Sequence, residues 1–150
     1  MCFRVLPVAL LALLAAACGD DGESSPTPDE LLPPPPDGQG VQYKMVTSIP
    51  AGTEVEHCQF VRAPATGLNV NRDEIKFTTG SHHVLLYLTP YTDIPTANEQ
   101  GVPVDTTQVF DCSDGVIFDW QVSNLIAGSQ NATGESIVDF PSDVAMKGPP

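Results

Sequence analysis

The sequence predicts an all-β domain, an antiparallel sandwich or jelly roll with one disulfide, behind an export leader and a tether. Three observations support this fold class. From residue 41 onward, short runs rich in β-branched and aromatic residues alternate with Gly, Pro, Asn and Asp turn signals. No stretch in this region has the apolar period of an amphipathic helix. Two widely spaced cysteines, Cys58 and Cys112, lie in or beside these runs.

Seven segments of this region are expected to form strands. The alternation is clearest in residues 74–78, where Ile75 and Phe77 are predicted to face the core and the charged residues beside them to face water. Trp120, the only tryptophan of the chain, is expected to fill the core behind the sheet. The predicted strands are residues 42–49, 53–61, 74–78, 82–89, 107–111, 116–121 and 136–140.

Residues 1–17 have the parts of a secretory signal peptide. Arg4 supplies an early positive charge, and an apolar run followed by three alanines leads to Cys18. The string LAAAC at 14–18 resembles the bacterial lipobox, although Ala15 stands where leucine is usual. This resemblance implies a diacylglyceryl thioether on Cys18, whose acyl chains would anchor the protein in the cell envelope. A plain signal peptide with an unmodified Cys18 is the alternative.

Residues 18–40 are predicted to form a disordered, acidic, Pro-rich tether between the anchor and a domain at 41–150. Beyond Cys18, only Leu31 and Leu32 are apolar there, so the segment cannot bury enough surface to offset its ordering entropy. The four prolines at 33–36 favour a stiff polyproline II spacer. The remaining 110 or so residues are enough for one compact core.

The charge of the chain argues against nucleic-acid partners, and its hydropathy argues against a transmembrane helix after the leader. With 19 acidic and 6 basic residues, the formal net charge is −13, which repels phosphate backbones and argues against nucleic-acid binding. After the leader there is no apolar run of the roughly 18 residues that a transmembrane helix needs. Membrane attachment is therefore expected through lipidated Cys18 alone, at the outer membrane or the periplasmic face.

Two cysteines are expected to pair with each other. Cys2 would leave with the leader and Cys18 would carry lipid, so Cys58 and Cys112 remain in an oxidising compartment, where a disulfide is the default. In the chain-entropy model, closing a loop of about 55 residues stabilises a domain by about 4 kcal/mol. A pair of metal thiolates is the alternative.

His82 and His83 stand at the start of a strongly apolar run. Neighbouring side chains of a regular strand point to opposite faces, so both imidazoles could bind one ion only where a bulge or twist redirects one of them. The turn at 79–81 supplies such an irregularity. From spacing alone, ordinary surface or packing histidines are the alternative to metal ligands.

Four strings together resemble a known family: EVEHCQFV at 54–61, IKF at 75–77, GSHHVLLY at 80–87 and FDC at 110–112. They are similar to the N-terminal copper domain of the type II, ascorbate-dependent monooxygenases, which include peptidylglycine alpha-hydroxylating and dopamine beta-monooxygenase. The resemblance covers about residues 52–150. It implies that His82 and His83 are two of three imidazole ligands of an electron-donating copper, a metal that imidazole suits.

The chain departs from this family in its ligands. It contains three histidines, His57, His82 and His83, so the third ligand of the first copper and the histidines of the second copper have no counterpart, and His57 receives no family role. We therefore expect a fragment, missing its last strands, that resembles an oxidoreductase but is not catalytically competent without a C-terminal domain or a downstream-encoded partner. No catalytic residue or substrate is predicted. The alternatives are a non-enzymatic copper-binding module and a structural or adhesive cell-surface β-sandwich.

Overall fold

The computed structural model of the chain describes residues 31–131 and 133–149, so the predicted signal peptide and the predicted lipid site at Cys18 lie outside the described residues. Of the described residues, 28% are in strands and 4% in helix, which confirms the all-β class. Within the described part, no helix is both long and apolar enough to span a bilayer. The elements are β1 (His57–Cys58), β2 (Leu68–Val70), β3 (Arg72–Lys76), β4 (Val84–Leu88), β5 (Phe110–Asp111), α1 (Val116–Asp119), β6 (Asn124–Ser129), β7 (Glu135–Asp139) and β8 (Met146–Gly148).

The strands associate in four antiparallel pairs, β1–β5, β2–β8, β3–β7 and β4–β6. Three of these pairs are nested, because β2, β3 and β4 pair in reverse order with β8, β7 and β6. β3 also contacts β6, which brings the two inner pairs together. The predicted antiparallel pairing is confirmed, whereas the arrangement of the pairs as a sandwich stays a prediction.

The predicted strand at 42–49 is not a strand in the structure. The segment nevertheless runs antiparallel beside residues 57–62, because the Tyr43 hydroxyl donates to the Arg62 carbonyl (3.2 Å) and the Thr47 hydroxyl lies 2.8 Å from His57 Nδ1. A turn at 50–53, closed by the Thr53 amide on the Pro50 carbonyl (3.2 Å), connects the two segments. Side-chain hydrogen bonds, rather than backbone pairing with another strand, hold this segment in place. An alternating sequence pattern does not distinguish a segment held in this way from a paired strand.

The predicted strand at 116–121 is wrong, because this segment forms the single helical turn α1. Gly115 has φ of 101°, a conformation that ends the extended backbone and that glycine adopts without steric cost. The Phe118 amide then donates to the Gly115 carbonyl and the Trp120 amide to the Val116 carbonyl, both at 3.0 Å. As a result Phe118 is 70% exposed, whereas Trp120 turns inward.

Strands β2, β6 and β8 were not predicted from the sequence. β6 contains Ala127, Gly128 and Ser129, which favour strands weakly. Gly128 pairs with Leu85 of β4, and a Cβ atom at Gly128 would lie 2.9 Å from Leu85 Cδ2. A larger residue at position 128 would displace the end of the Leu85 side chain, a contact with β4 that a local pattern does not reveal.

Two of the three buried apolar residues in the described part of the chain, Cys112 and Trp120, lie at or near the disulfide, and the third, Ile126, lies in β6. Cys58 and Cys112 are bonded, with Cα atoms 5.8 Å apart, which confirms the predicted disulfide between β1 and the end of β5. Trp120 is 3% exposed, as predicted for a core residue. Its ring centroid lies 5.0 Å from that of Phe60 and 5.6 Å from that of Phe110, so aromatic rings pack on both strands that the disulfide joins.

The outer face of the β3–β7 pair carries alternating charges. Glu74 and Lys76, predicted to face water, are half-buried in a row of ion pairs that also includes Arg72, Glu135 and Asp139. Lys76 Nζ lies 3.7 Å from Glu74 and 3.8 Å from Glu135. Such pairs near the surface contribute little to stability individually, but they are consistent with the predicted orientation of the charged side chains of β3.

Asp73 lies on the opposite face of β3, where a carboxylate is unfavourable. Its Oδ1 atom is buried and accepts no hydrogen bond from the described residues, and burial raises the pKa of this carboxyl group. Between the unfolded-state pKa and the raised folded-state pKa, the folded protein holds more protons. The free energy of unfolding is therefore expected to fall as the pH rises through that interval.

The substitution Asp73→Asn is expected to raise the free energy of unfolding at pH 7 by on the order of 1 kcal/mol, because it removes a poorly solvated charge. The gain should disappear at about pH 3, where Asp73 is protonated in both states. Urea denaturation at the two pH values measures this difference. Asp143→Asn, in an exposed turn, is the matched control; an equal gain in both variants would contradict the explanation.

Candidate metal site

His82 and His83 lie between β3 and β4, immediately before the first paired residue of β4. The preceding turn is closed by the Ser81 amide on the Thr78 carbonyl (3.2 Å), and Gly80 within it has φ of 97°. Ladder pairing starts at Val84, which lies opposite Ser129. Both histidines thus precede the paired residues of β4, where no ladder fixes the directions of their side chains.

The two imidazole rings are neighbours. Their centroids are 5.1 Å apart with planes tilted by 52°, and both side chains are exposed. Two imidazoles that bind one ion through nitrogens at about 2.0 Å would have centroids about 4.5 to 6.3 Å apart, for angles at the ion from about 90° to 180°. The observed distance falls within this range, so the separation of the rings is compatible with a shared ion.

The turn between β6 and β7 holds the end of β3 that leads to the histidines. The Phe77 amide donates to the Gly134 carbonyl at 2.8 Å, and the Gly134 amide donates to the Asn131 carbonyl at 3.1 Å. Gly134 has φ of 78°, and a Cβ atom there would lie 2.6 Å from the Phe77 carbonyl oxygen. Only glycine permits this approach, so Gly134 supports the backbone just before the histidine turn.

His57 is placed elsewhere, in β1 opposite Asp111. Its Nδ1 lies 2.8 Å from the Thr47 hydroxyl. The pKa of Asp111 is lowered chiefly because Ser113 donates side-chain and backbone hydrogen bonds to it, and the charge of His57 makes a smaller contribution. His57 therefore takes part in local contacts of β1 and is a suitable control for the histidine pair.

A second group of potential ligands adds Glu56, which was not recognised from the sequence, to the two cysteines, for which metal thiolates were the alternative to a disulfide. One ligand atom each of Glu56, Cys58 and Cys112 lies within 4.8 Å of the others, although the two sulfurs are joined in the disulfide. The signal that could have identified Glu56 is its spacing from Cys58, since residues i and i+2 of a strand lie on one face.

The chain matches no protein-family model, no curated protein and no solved structure. The assignment of a metal to the histidine pair therefore depends on the residues of this chain alone.

Proposed function

We propose that this chain is an exported, lipid-anchored envelope protein whose β domain binds copper through His82 and His83. The observation that supports copper binding most directly is the pair of exposed imidazole rings with centroids 5.1 Å apart. Imidazole nitrogen is a suitable ligand for copper. The net charge of −13 also favours the approach of cations over anions.

The function that we propose is copper binding rather than oxygenation by this chain by itself. Two imidazoles leave further coordination positions to water or to groups of a partner. His57 is the only other histidine of the sequence, and its ring lies beside Thr47. A further domain or a separate protein would have to supply the remaining ligands and the second copper of the monooxygenases that the sequence resembles.

The test is a Cu(II) titration of the full chain and of the variant His82→Ala, His83→Ala. The unsubstituted chain is expected to bind one equivalent with nitrogen hyperfine structure in its electron paramagnetic resonance spectrum, and the double variant to bind at least tenfold more weakly. His57→Ala is the control and should retain the affinity and the spectrum. Equal copper uptake by the double variant would exclude this pair as the site.

The proposed anchor is tested separately with Cys18→Ser in a bacterial host. The unsubstituted chain is expected to incorporate labelled fatty acid and to remain with the membrane fraction, because acyl chains on one residue provide the attachment. Cys18→Ser should incorporate no label and leave the membranes. Cys2→Ser is the matched control and should behave like the unsubstituted chain; acylation that persists in Cys18→Ser would contradict the proposal.

A second candidate is a non-enzymatic structural or adhesive surface domain. It is favoured by Ile117 and Phe118, which are 63% and 70% exposed on α1, because contiguous exposed apolar side chains often mark contact surfaces. The copper titration distinguishes the two candidates, since a purely structural domain would show no dependence on His82 and His83.

A further inference from the structure

We propose that reduction of the Cys58–Cys112 disulfide creates a second metal site, in which two thiolates and the Glu56 carboxylate bind a zinc-type divalent ion. The ligand atoms of these three residues lie within 4.8 Å of one another. This site is separate from the histidine pair, and the proposal does not rest on copper binding.

The main chain of Glu56 is held by hydrogen bonds in addition to the nearby disulfide. The Cys112 amide donates to the Glu56 carbonyl at 2.9 Å, and the Glu56 amide donates to the Ser113 hydroxyl at 3.1 Å. Since Glu56 and Cys58 are two residues apart on an extended chain, their side chains share one face. These hydrogen bonds hold the main chain of Glu56 beside Cys112 and Ser113, and neither of them involves a sulfur atom.

The two cysteines are also held close by contacts other than their own bond. Residues of β1 and β5 pair as His57 with Asp111 and Cys58 with Phe110. Phe60, which follows β1, stacks on Phe110 with ring centroids 5.9 Å apart. The Cα distance of 5.8 Å between the cysteines is compatible with two thiolates on one tetrahedral ion, whose sulfurs lie about 3.8 Å apart.

The chemistry requires an external dithiol as reductant. The Sγ–Sγ bond breaks, a disulfide forms in the dithiol, and its two protons pass to Cys58 and Cys112. The divalent ion then replaces both thiol protons, which go to water, because the thiolate is the ligand form. Zinc accepts sulfur and carboxylate oxygen together, and three protein ligands leave a fourth position for water.

The different exposure of Glu56, Cys58 and Cys112 indicates the side from which a metal ion would enter the site. Cys112 is 2% exposed, Cys58 is half-buried, and Glu56 is exposed. An ion would therefore arrive from solvent at the carboxylate and pass inward to the sulfurs. The oxidised protein has no thiolate to offer, so binding at this site is expected only after reduction.

The experiment uses the full chain carrying His82→Ala, His83→Ala, Cys2→Ser and Cys18→Ser, so that neither the histidine pair nor the two other thiols can contribute. The protein is reduced with a dithiol, freed of it under inert gas and titrated with Co²⁺ and then Zn²⁺. Thiolate-to-cobalt charge-transfer absorption with one equivalent is expected in the reduced protein and none in the oxidised protein. A negative result would not bear on copper binding by His82 and His83, because both histidines are absent from the protein used in this experiment.

Three further variants in this background locate the site. Glu56→Gln is expected to weaken cobalt binding at least about tenfold, whereas Glu54→Gln, an exposed neighbour, should not. The variant Cys58→Ser, Cys112→Ser should give no charge-transfer absorption. Equal affinity of the two glutamine variants, absorption in the serine variant, or Trp120 fluorescence typical of an unfolded chain after reduction would each overturn the proposal.

Discussion

Replacing Cys58 and Cys112 with serine is expected to lower the free energy of unfolding by about 4 kcal/mol. The disulfide spans 54 residues, and in the chain-entropy model a loop of that length restricts the unfolded ensemble strongly. The strands that it joins, β1 and β5, are two residues long each. The ring contacts of Phe60 with Phe110 and Trp120 are present with or without the disulfide, so the expected loss reflects the less restricted unfolded chain.

Urea denaturation followed by Trp120 fluorescence measures this loss, because Trp120 is buried near Cys112. A reductant should lower the stability of the unsubstituted chain by a similar amount and leave the serine variant unchanged. A serine variant within about 1 kcal/mol of the unsubstituted chain would mean that the aromatic contacts, rather than the disulfide, hold this part of the domain.

Gly134→Ala is expected to lower the free energy of unfolding by about 3 kcal/mol and to weaken copper binding. About 1 kcal/mol comes from placing a Cβ atom in the left-handed region. The rest comes from the overlap of that Cβ with the Phe77 carbonyl oxygen, which would be 2.6 Å away. Relief of this overlap would stretch the hydrogen bond from the Phe77 amide to the Gly134 carbonyl and move the turn before His82.

Gly52→Ala separates these two contributions. Gly52 has the same φ of 78° as Gly134, but no atom lies within 4 Å of the Cβ position. Gly52→Ala is therefore expected to lower the free energy of unfolding by about 1 kcal/mol and to leave copper affinity unchanged. Chemical denaturation and Cu(II) titration of both variants provide the comparison. Equal losses of stability would show that the contact with Phe77 has no role.

Several features of the fold could be predicted from the sequence because their causes are local. The apolar and β-branched residues of β4 and the alternation in β3 predicted those strands near their observed positions. The pairing of Cys58 with Cys112 was predicted from the expected loss of Cys2, the expected lipidation of Cys18 and the expected export to an oxidising compartment. The burial of Trp120 followed from its large apolar surface.

Other features depend on contacts between distant residues. The nested pairing of β2, β3 and β4 with β8, β7 and β6 joins segments that share no sequence signal. α1 replaces a predicted strand because Gly115 turns the backbone and Trp120 packs against Phe110 of β5 and against Phe60, which follows β1. β6 forms despite its small residues because it pairs with β4 from Asn124 to Ser129.

For the candidate sites, the sequence by itself determined which ligand types are present: two adjacent imidazoles, two cysteines and an acidic residue two positions before one of them. Only the tertiary structure decided their geometry. It placed His82 and His83 before the ladder of β4, where no pairing fixes the directions of their side chains. It also placed Glu56 beside the disulfide through hydrogen bonds to residues more than fifty positions away. Side-chain chemistry is encoded residue by residue, whereas distances between ligands arise from packing among remote segments.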